Sequence, residues 1–194
     1  MNPLPPVAPV TVPQLGMLSG LIDGDGIAAG GRTLGQLTGL FRDEAARAAM
    51  PADTPVYRTF ATPTPADAPV GELLYSTTII EPGKVGDEYF MTRGHFHAGR
   101  NRGEFCLTLA GEGMLVLMTD DRTPRVEVMR PGSLHLIDGA HAHRTVNTGR
   151  EPLRFFVVWP ADTGHDYESI AQHGFCVRVR EVNGAPACVP DDHA

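Results

Sequence analysis

The 194-residue sequence predicts an all-β, antiparallel fold with a single N-terminal helix, and three observations carry that prediction. Beyond Pro51 the chain divides into short runs of β-forming residues separated by proline and glycine, spaced regularly enough for a sandwich or barrel. Towards its end, a run centred on Asn183-Gly184 carries the residues of a tight hairpin turn. Ahead of Pro51, one segment alone has helical spacing.

Residues 1 to about 31 carry Pro3, Pro5, Pro6, Pro9 and Pro13 and then a glycine-rich stretch, and are expected to form an arm laid on the body. Residues 32–194 then make one domain. Between Thr33 and Met50, Leu34, Leu37, Leu40, Phe41, Ala45 and Ala48 recur near a period of 3.6, and Pro51 stops the pattern, which predicts the one long helix. Strands are expected over 56–62, 72–80, 88–92, 105–109, 114–118, 125–129, 134–137, 144–146 and 153–159, with a closing hairpin over 177–189. Asp166 to His173, with Asp166 as cap and Gly174 behind, reads as a short helix. No internal repeat is visible.

Length and a 42% hydrophobic content fit a single domain with its own core. The net charge is −7 and Lys84 is the one lysine, so there is no broad basic surface to follow a nucleic-acid backbone. A small anion could still be held by a local cluster such as Arg93, Arg100 and Arg102. Cys106, Cys176 and Cys188 are odd in number and lack metal-motif spacing, as expected for reduced thiols packed in a cytoplasmic protein. The first residues lack a basic group and no apolar run approaches the ~20 residues of a membrane span, so neither signal peptide nor anchor is expected.

The segment richest in chemistry is Gly94-His95-Phe96-His97, with Glu104 seven residues on and Gly111 seven further. Alternate residues of a strand share a face, so His95 and His97 can reach one ion together. The next strand can return Glu104 beside them as an oxygen ligand. Downstream of Pro131-Gly132, the segment Ala142-His143-Arg144-Thr145-Val146-Asn147 offers a third imidazole. Three nitrogens and one carboxylate suit iron, manganese, nickel or zinc, with coordination positions to spare.

These residues resemble the two motifs of the cupin superfamily: HxH with a following Glu and Gly, then PxG with HxxxN. The long loop between His97 and Glu104, and the blocks Pro82-Gly83-Lys84-Val85-Gly86, Thr92-Arg93-Gly94-His95-Phe96-His97-Ala98 and Pro160-Ala161-Asp162-Thr163-Gly164-His165-Asp166-Tyr167, resemble the cupin-type glucose-6-phosphate isomerases. The resemblance covers roughly residues 33–190. It implies a homodimeric jelly-roll β-barrel, cytoplasmic, with one divalent ion per chain, most often Fe2+, held by His95, His97, Glu104 and His143. It further implies sugar-phosphate contacts at Thr78, Thr92 and Gly94, with Arg93 where the family often has lysine, and catalytic positions at Glu104, His165 and Tyr167. Cys106 and Phe60 stand where the family often has tyrosines.

On that reading the chain moves hydrogen between C1 and C2 of a sugar phosphate, converting glucose 6-phosphate and fructose 6-phosphate. Glu104 would carry the proton of an enediol route; a hydride shift would leave it a ligand alone. The alternatives are an iron dioxygenase using the same ligand set, or a non-catalytic sugar-binding cupin. The Thr-Arg-Gly cluster beside the histidines weighs against the first, and the complete ligand set against the second. His135 is expected on a strand face, His141 in a loop, and His173 and His193 at the surface. Arg100 and Arg102 read as a solvated charge pair.

Overall fold

The computed structural model describes residues 10–65 and 69–191; Pro3, Pro5, Pro6, Pro9 and His193, and the side chain of His173, lie outside the described residues. Gln14–Leu15 (β1) and Ile22–Asp23 (β2) form a two-stranded ribbon, followed by Ala28–Thr33 (β3), a 3-10 turn at Leu34–Leu37, and the short helix Glu44–Ala49 (α1). Next come Pro55–Ala61 (β4), Leu73–Ile80 (β5), Lys84–Val85 (β6), Glu88–Tyr89 (β7), Phe96–His97 (β8) and Glu104–Ala110 (β9). Gly113–Met118 (β10), Pro124–Met129 (β11), Leu134–Ile137 (β12), Ala142–Asn147 (β13) and Leu153–Pro160 (β14) follow. The chain ends through His165–Asp166 (β15), Glu168–His173 (α2) and the hairpin Val177–Val182 (β16) and Ala185–Pro190 (β17).

The predicted strands from β4 onward are all present, and the closing hairpin turns through Asn183 and Gly184, both at positive φ. The long helix is not. Thr38 leaves the 3-10 turn with extended geometry (ψ 132°), and a new helix starts only where the Asp43 carboxylate accepts the Ala46 N–H at 2.8 Å. Leu34, Leu37 and Phe41 are nevertheless buried, so the spacing reported which residues face the core but not an unbroken helix. The glycine-rich end of the expected arm is β3, which pairs with β4 along its length. There a Cβ on Gly31 would lie 2.5 Å from the Tyr57 carbonyl oxygen.

All pairings are antiparallel. One layer is a six-stranded sheet in the order β12-β9-β14-β5-β4-β3; the other is the three-stranded β11-β10-β13, and β17-β16-β7-β6 flanks them. Leu115, Leu117, Met129, Val146, Leu153, Phe155 and Val157 fill the space between as one core. The expected barrel therefore takes an open, sandwich-like form. β10 is paired on both sides, and β13 meets the preceding segment only through single bridges, Met91 with Val146 and His95 with His143. The layers are thus joined by side chains rather than by a closed ladder. Among the described residues, no helix is long and apolar enough to cross a membrane.

A candidate metal centre beside a hydroxyl-bearing cavity

The bridge between β13 and the segment before β8 is also where the imidazoles converge. His95 and His143 exchange both backbone hydrogen bonds (3.2 and 2.9 Å), which sets their rings side by side with centroids 4.5 Å apart. His97, two residues along, brings its ring to 5.7 Å from His95 and 5.0 Å from His143. His97 is fully buried, and its Nδ1 lies 2.6 Å from the Arg102 carbonyl oxygen. A carbonyl can only accept, so Nδ1 carries a proton and Nε2 is the ring nitrogen left to face the cluster. That Nε2 is 3.6 Å from Glu104 Oε2, and His143 Nε2 is 3.9 Å from Glu104 Oε1.

These separations are too long for hydrogen bonds. They match two ligands bound to one ion at about 2.1 Å each, whose mutual distance runs from about 3 to 4 Å. Donor atoms of His95, His97 and His143 lie within 4.8 Å of one another, and Nε2 of both His95 and His97 is buried without a partner. Unpartnered buried nitrogens are costly unless something occupies the space between them. Burial, and then the rings of His143, His165 and His97, push His95 far below the usual imidazole range. Burial likewise lowers His143 and His165 despite the charge of Glu104. Neutral imidazoles are the form that binds a metal.

Above the cluster lies a cavity of about 220 Å³. Thr78, Thr92, Arg93, Gly94, His95, Glu104, His143, His165 and Tyr167 line it, while His97 sits behind the wall. β15 carries His165 opposite His97, placing the His165 ring 4.4 Å from His95 and stacked on Tyr167 at 5.7 Å. The Arg93 guanidinium lies 4.9 Å over the Tyr167 ring. Thr92 Oγ1 accepts the Thr145 N–H at 3.0 Å, so part of its hydrogen-bonding capacity serves the fold.

Sequence reasoning missed Arg32, Tyr57, Thr59, Ser76 and Trp159, which also line the cavity. The signal for Tyr57 with Thr59, and for Ser76 with Thr78, was the period of two along β4 and β5. Phe60, expected near substrate, does not line the cavity; it alternates to the opposite sheet face, and the cavity tyrosine of β4 is Tyr57. Cys106 does line it, its thiol pushed well up by burial and by the charges of Glu104 and Glu127.

The remaining motif residues have structural partners. Asn147 is fully buried and donates to the Ile80 and Glu151 carbonyls (2.9 and 3.0 Å) while accepting the Gly149 N–H at 2.9 Å. His135 is buried between Glu127 and Ser133, and His141 lies in the turn after Asp138. Arg102 pairs with Asp162, and Arg100 with Asp120 and Asp166 over the Phe96 ring, tying the loop after His97 to the segment carrying His165.

A two-layered β fold with three clustered imidazoles and a carboxylate beside a cavity that carries several hydroxyls is a cupin-type protein with a cluster fit for a metal ion. Residues 31–193 match the glucose-6-phosphate isomerase (GPI) family, and the chain belongs to that family. It is 43% identical to the glucose-6-phosphate isomerase of Pyrococcus horikoshii over 155 residues, covering 79% of this chain and 81% of that one. The enzymes of the same name from Thermococcus litoralis and Pyrococcus furiosus are each 41% identical over 155 residues, at 79% of this chain and 80% and 81% of theirs. A variant of Bacillus subtilis oxalate decarboxylase overlaps it in part, with a TM-score of 0.46 and 18% identity over 61% of this chain and 29% of that one.

Proposed function

We propose that the chain is a metal-dependent aldose-ketose isomerase that interconverts glucose 6-phosphate and fructose 6-phosphate. The observation that carries this is one cavity with two chemically different regions: imidazoles and a carboxylate at its floor, and the hydroxyls of Thr78 and Thr92 with the Gly94 segment beside them. His95, His97, Glu104 and His143 would hold the divalent ion, Fe2+ by preference, with Mn2+, Ni2+ or Zn2+ as other fits to the donor set. When bound, the ion supplies Lewis acidity to the oxygens at C1 and C2 of the sugar.

The chain's own residues do the rest. Thr78, Thr92, Arg93 and the Gly94 amide hold the phosphate and so fix the distance of C1 and C2 from Glu104. The Glu104 carboxylate takes the proton from one of these carbons and returns it to the other. His165 and Tyr167, stacked together beside His95, orient the sugar hydroxyls and cover the reacting end against water. Relatives named glucose-6-phosphate isomerase, at about 40% identity over most of the chain, support this reading. The protein works in the cytoplasm as a homodimer.

Elemental analysis together with a coupled fructose 6-phosphate assay, before and after chelation, tests the proposal. Activity that follows one bound ion per chain is expected, and His143→Ala should lose both. Full activity in metal-free protein would refute it.

A further inference from the structure

We propose that Arg32 is a phosphate-binding residue of the cavity, forming with Arg93 a pair of guanidinium groups that takes the dianionic end of the substrate. The inference rests on the sugar-phosphate reading above and adds to it a residue on a different layer from the Thr92-Arg93-Gly94 segment.

Its position comes from register. Arg32 on β3 is paired with Tyr57 on β4, and Thr59 on β4 is paired with Thr78 on β5. Tyr57, Thr59 and Thr78 line the cavity, and Arg32 lines it too, at the edge of the six-stranded sheet. β5 is two strands from β3, or about 10 Å across the sheet, while Glu104 on β9 is four strands away. Arg32 therefore stands at the hydroxyl end of the cavity and away from Glu104.

Its charge is unspent. Several arginines elsewhere are matched to carboxylates: Arg102 to Asp162, Arg178 to Glu88 and Asp191, Arg180 to Asp87. Among the described residues, Arg32 and Arg93 make no such pair. Arg32 Nη1 donates to the carbonyl of Gly31 at 2.7 Å, and Arg93 lies on the Tyr167 ring. Glu104 is the one carboxylate lining the cavity, and it is engaged with the imidazoles. Both guanidiniums are close enough to act on the same two phenols: burial raises Tyr57 and Tyr167, and the charges of Arg32 and Arg93 oppose that rise on each. Two cations converging on one mouth, without anions of the chain, match a phosphate dianion in charge. Arginine further offers paired donors to two phosphate oxygens.

The test compares wild type, Arg32→Met and Arg32→Lys, each with metal content and thermal midpoint measured. Arg32→Met should raise KM for fructose 6-phosphate and the Kd for inorganic phosphate by the same factor, roughly 10- to 100-fold, at unchanged metal content. Arg32→Lys should recover part of both. In the unmutated holoenzyme, inorganic phosphate should protect Arg32 from phenylglyoxal, read by peptide mass. An unchanged phosphate Kd in a folded Arg32→Met protein, or modification of Arg32 indifferent to saturating phosphate, overturns the inference. Phosphate protection in a protein that isomerises nothing would instead sink the isomerase reading and leave the anion site standing.

Discussion

Replacing Gly94 by alanine is the sharpest test of how the backbone places the imidazoles. Gly94 has φ +75°, in the left-handed region that costs an L-residue about 1–2 kcal/mol. An added Cβ would also lie 2.7 Å from Phe175 Cε2 and 3.0 Å from Arg144 Cβ. Neither neighbour can yield easily. Phe175 is 1% exposed, and the Arg144 guanidinium lies 4.1 Å over its ring, held by the Arg93 carbonyl at 2.8 Å. Overpacking of this kind costs about 1–3 kcal/mol more. The total of about 2–5 kcal/mol corresponds to a fall in Tm of roughly 4–20 °C for a chain of this size.

Gly132 supplies the control, because it has φ +85° and nothing within 4 Å of its would-be Cβ. Gly132→Ala should therefore show the backbone cost alone. Both variants are to be unfolded in guanidinium chloride after chelation, so that metal binding does not enter the difference. Gly94→Ala is expected to be the less stable of the two by about 1–3 kcal/mol, and to bind less metal because His95 is the next residue. Equal losses in the two variants, within about 0.5 kcal/mol, would refute the claim that Phe175 and Arg144 close the space over Gly94.

Three further outcomes are expected. Thr92→Val should raise KM for fructose 6-phosphate with metal still bound, and should also cost about 1–3 kcal/mol, because the Thr145 N–H loses its acceptor; an unchanged KM would place the phosphate elsewhere. Asn147→Ala removes three hydrogen bonds of a fully buried side chain and should destabilise the metal-free protein by about 3 kcal/mol; a loss of activity at full stability would give Asn147 a catalytic role in place of a structural one. In deuterated water the isomerase should place deuterium at C2 of glucose 6-phosphate, and Glu104→Gln should lower kcat by about 10²- to 10⁴-fold. A metal-loaded Glu104→Gln protein with most of its kcat would leave Glu104 a ligand and not a base.

What the sequence disclosed follows from which features are local. His95 and His97 are two residues apart, and β-formers alternate with turns, so the cluster and most strands could be read before any fold was known. Leu34, Leu37, Leu40 and Phe41 misled because a 3-10 turn followed by irregular chain can lay the same residues on the same core. β3 left no trace: Ala28-Ala29-Gly30-Gly31 has little β propensity, and its pairing is dictated by the close approach of the β4 backbone. Arg32 was lost with it, since a residue on an unread strand cannot be assigned a face.

β12 shows the deeper limit. Leu134-His135-Leu136-Ile137 alternates, and hydrophobicity alone would turn the leucines inward. The fold turns His135 and Ile137 inward instead, leaving the leucines exposed. The reversal is affordable because His135 Nδ1 meets Glu127 at 2.6 Å and Nε2 meets Ser133 Oγ at 2.8 Å, so the buried ring is satisfied at both nitrogens. Register then follows from β9, where His135 is paired with Cys106, a lining residue of the cavity; a slip by one would drive Phe105 and Leu107 into it and carry Glu104 away from His97 and His143. The position of Glu104 thus constrains the facing of β12, and two leucines are left outward on an edge strand. Such an edge, with two leucines turned to solvent, is a place where another strand could pair.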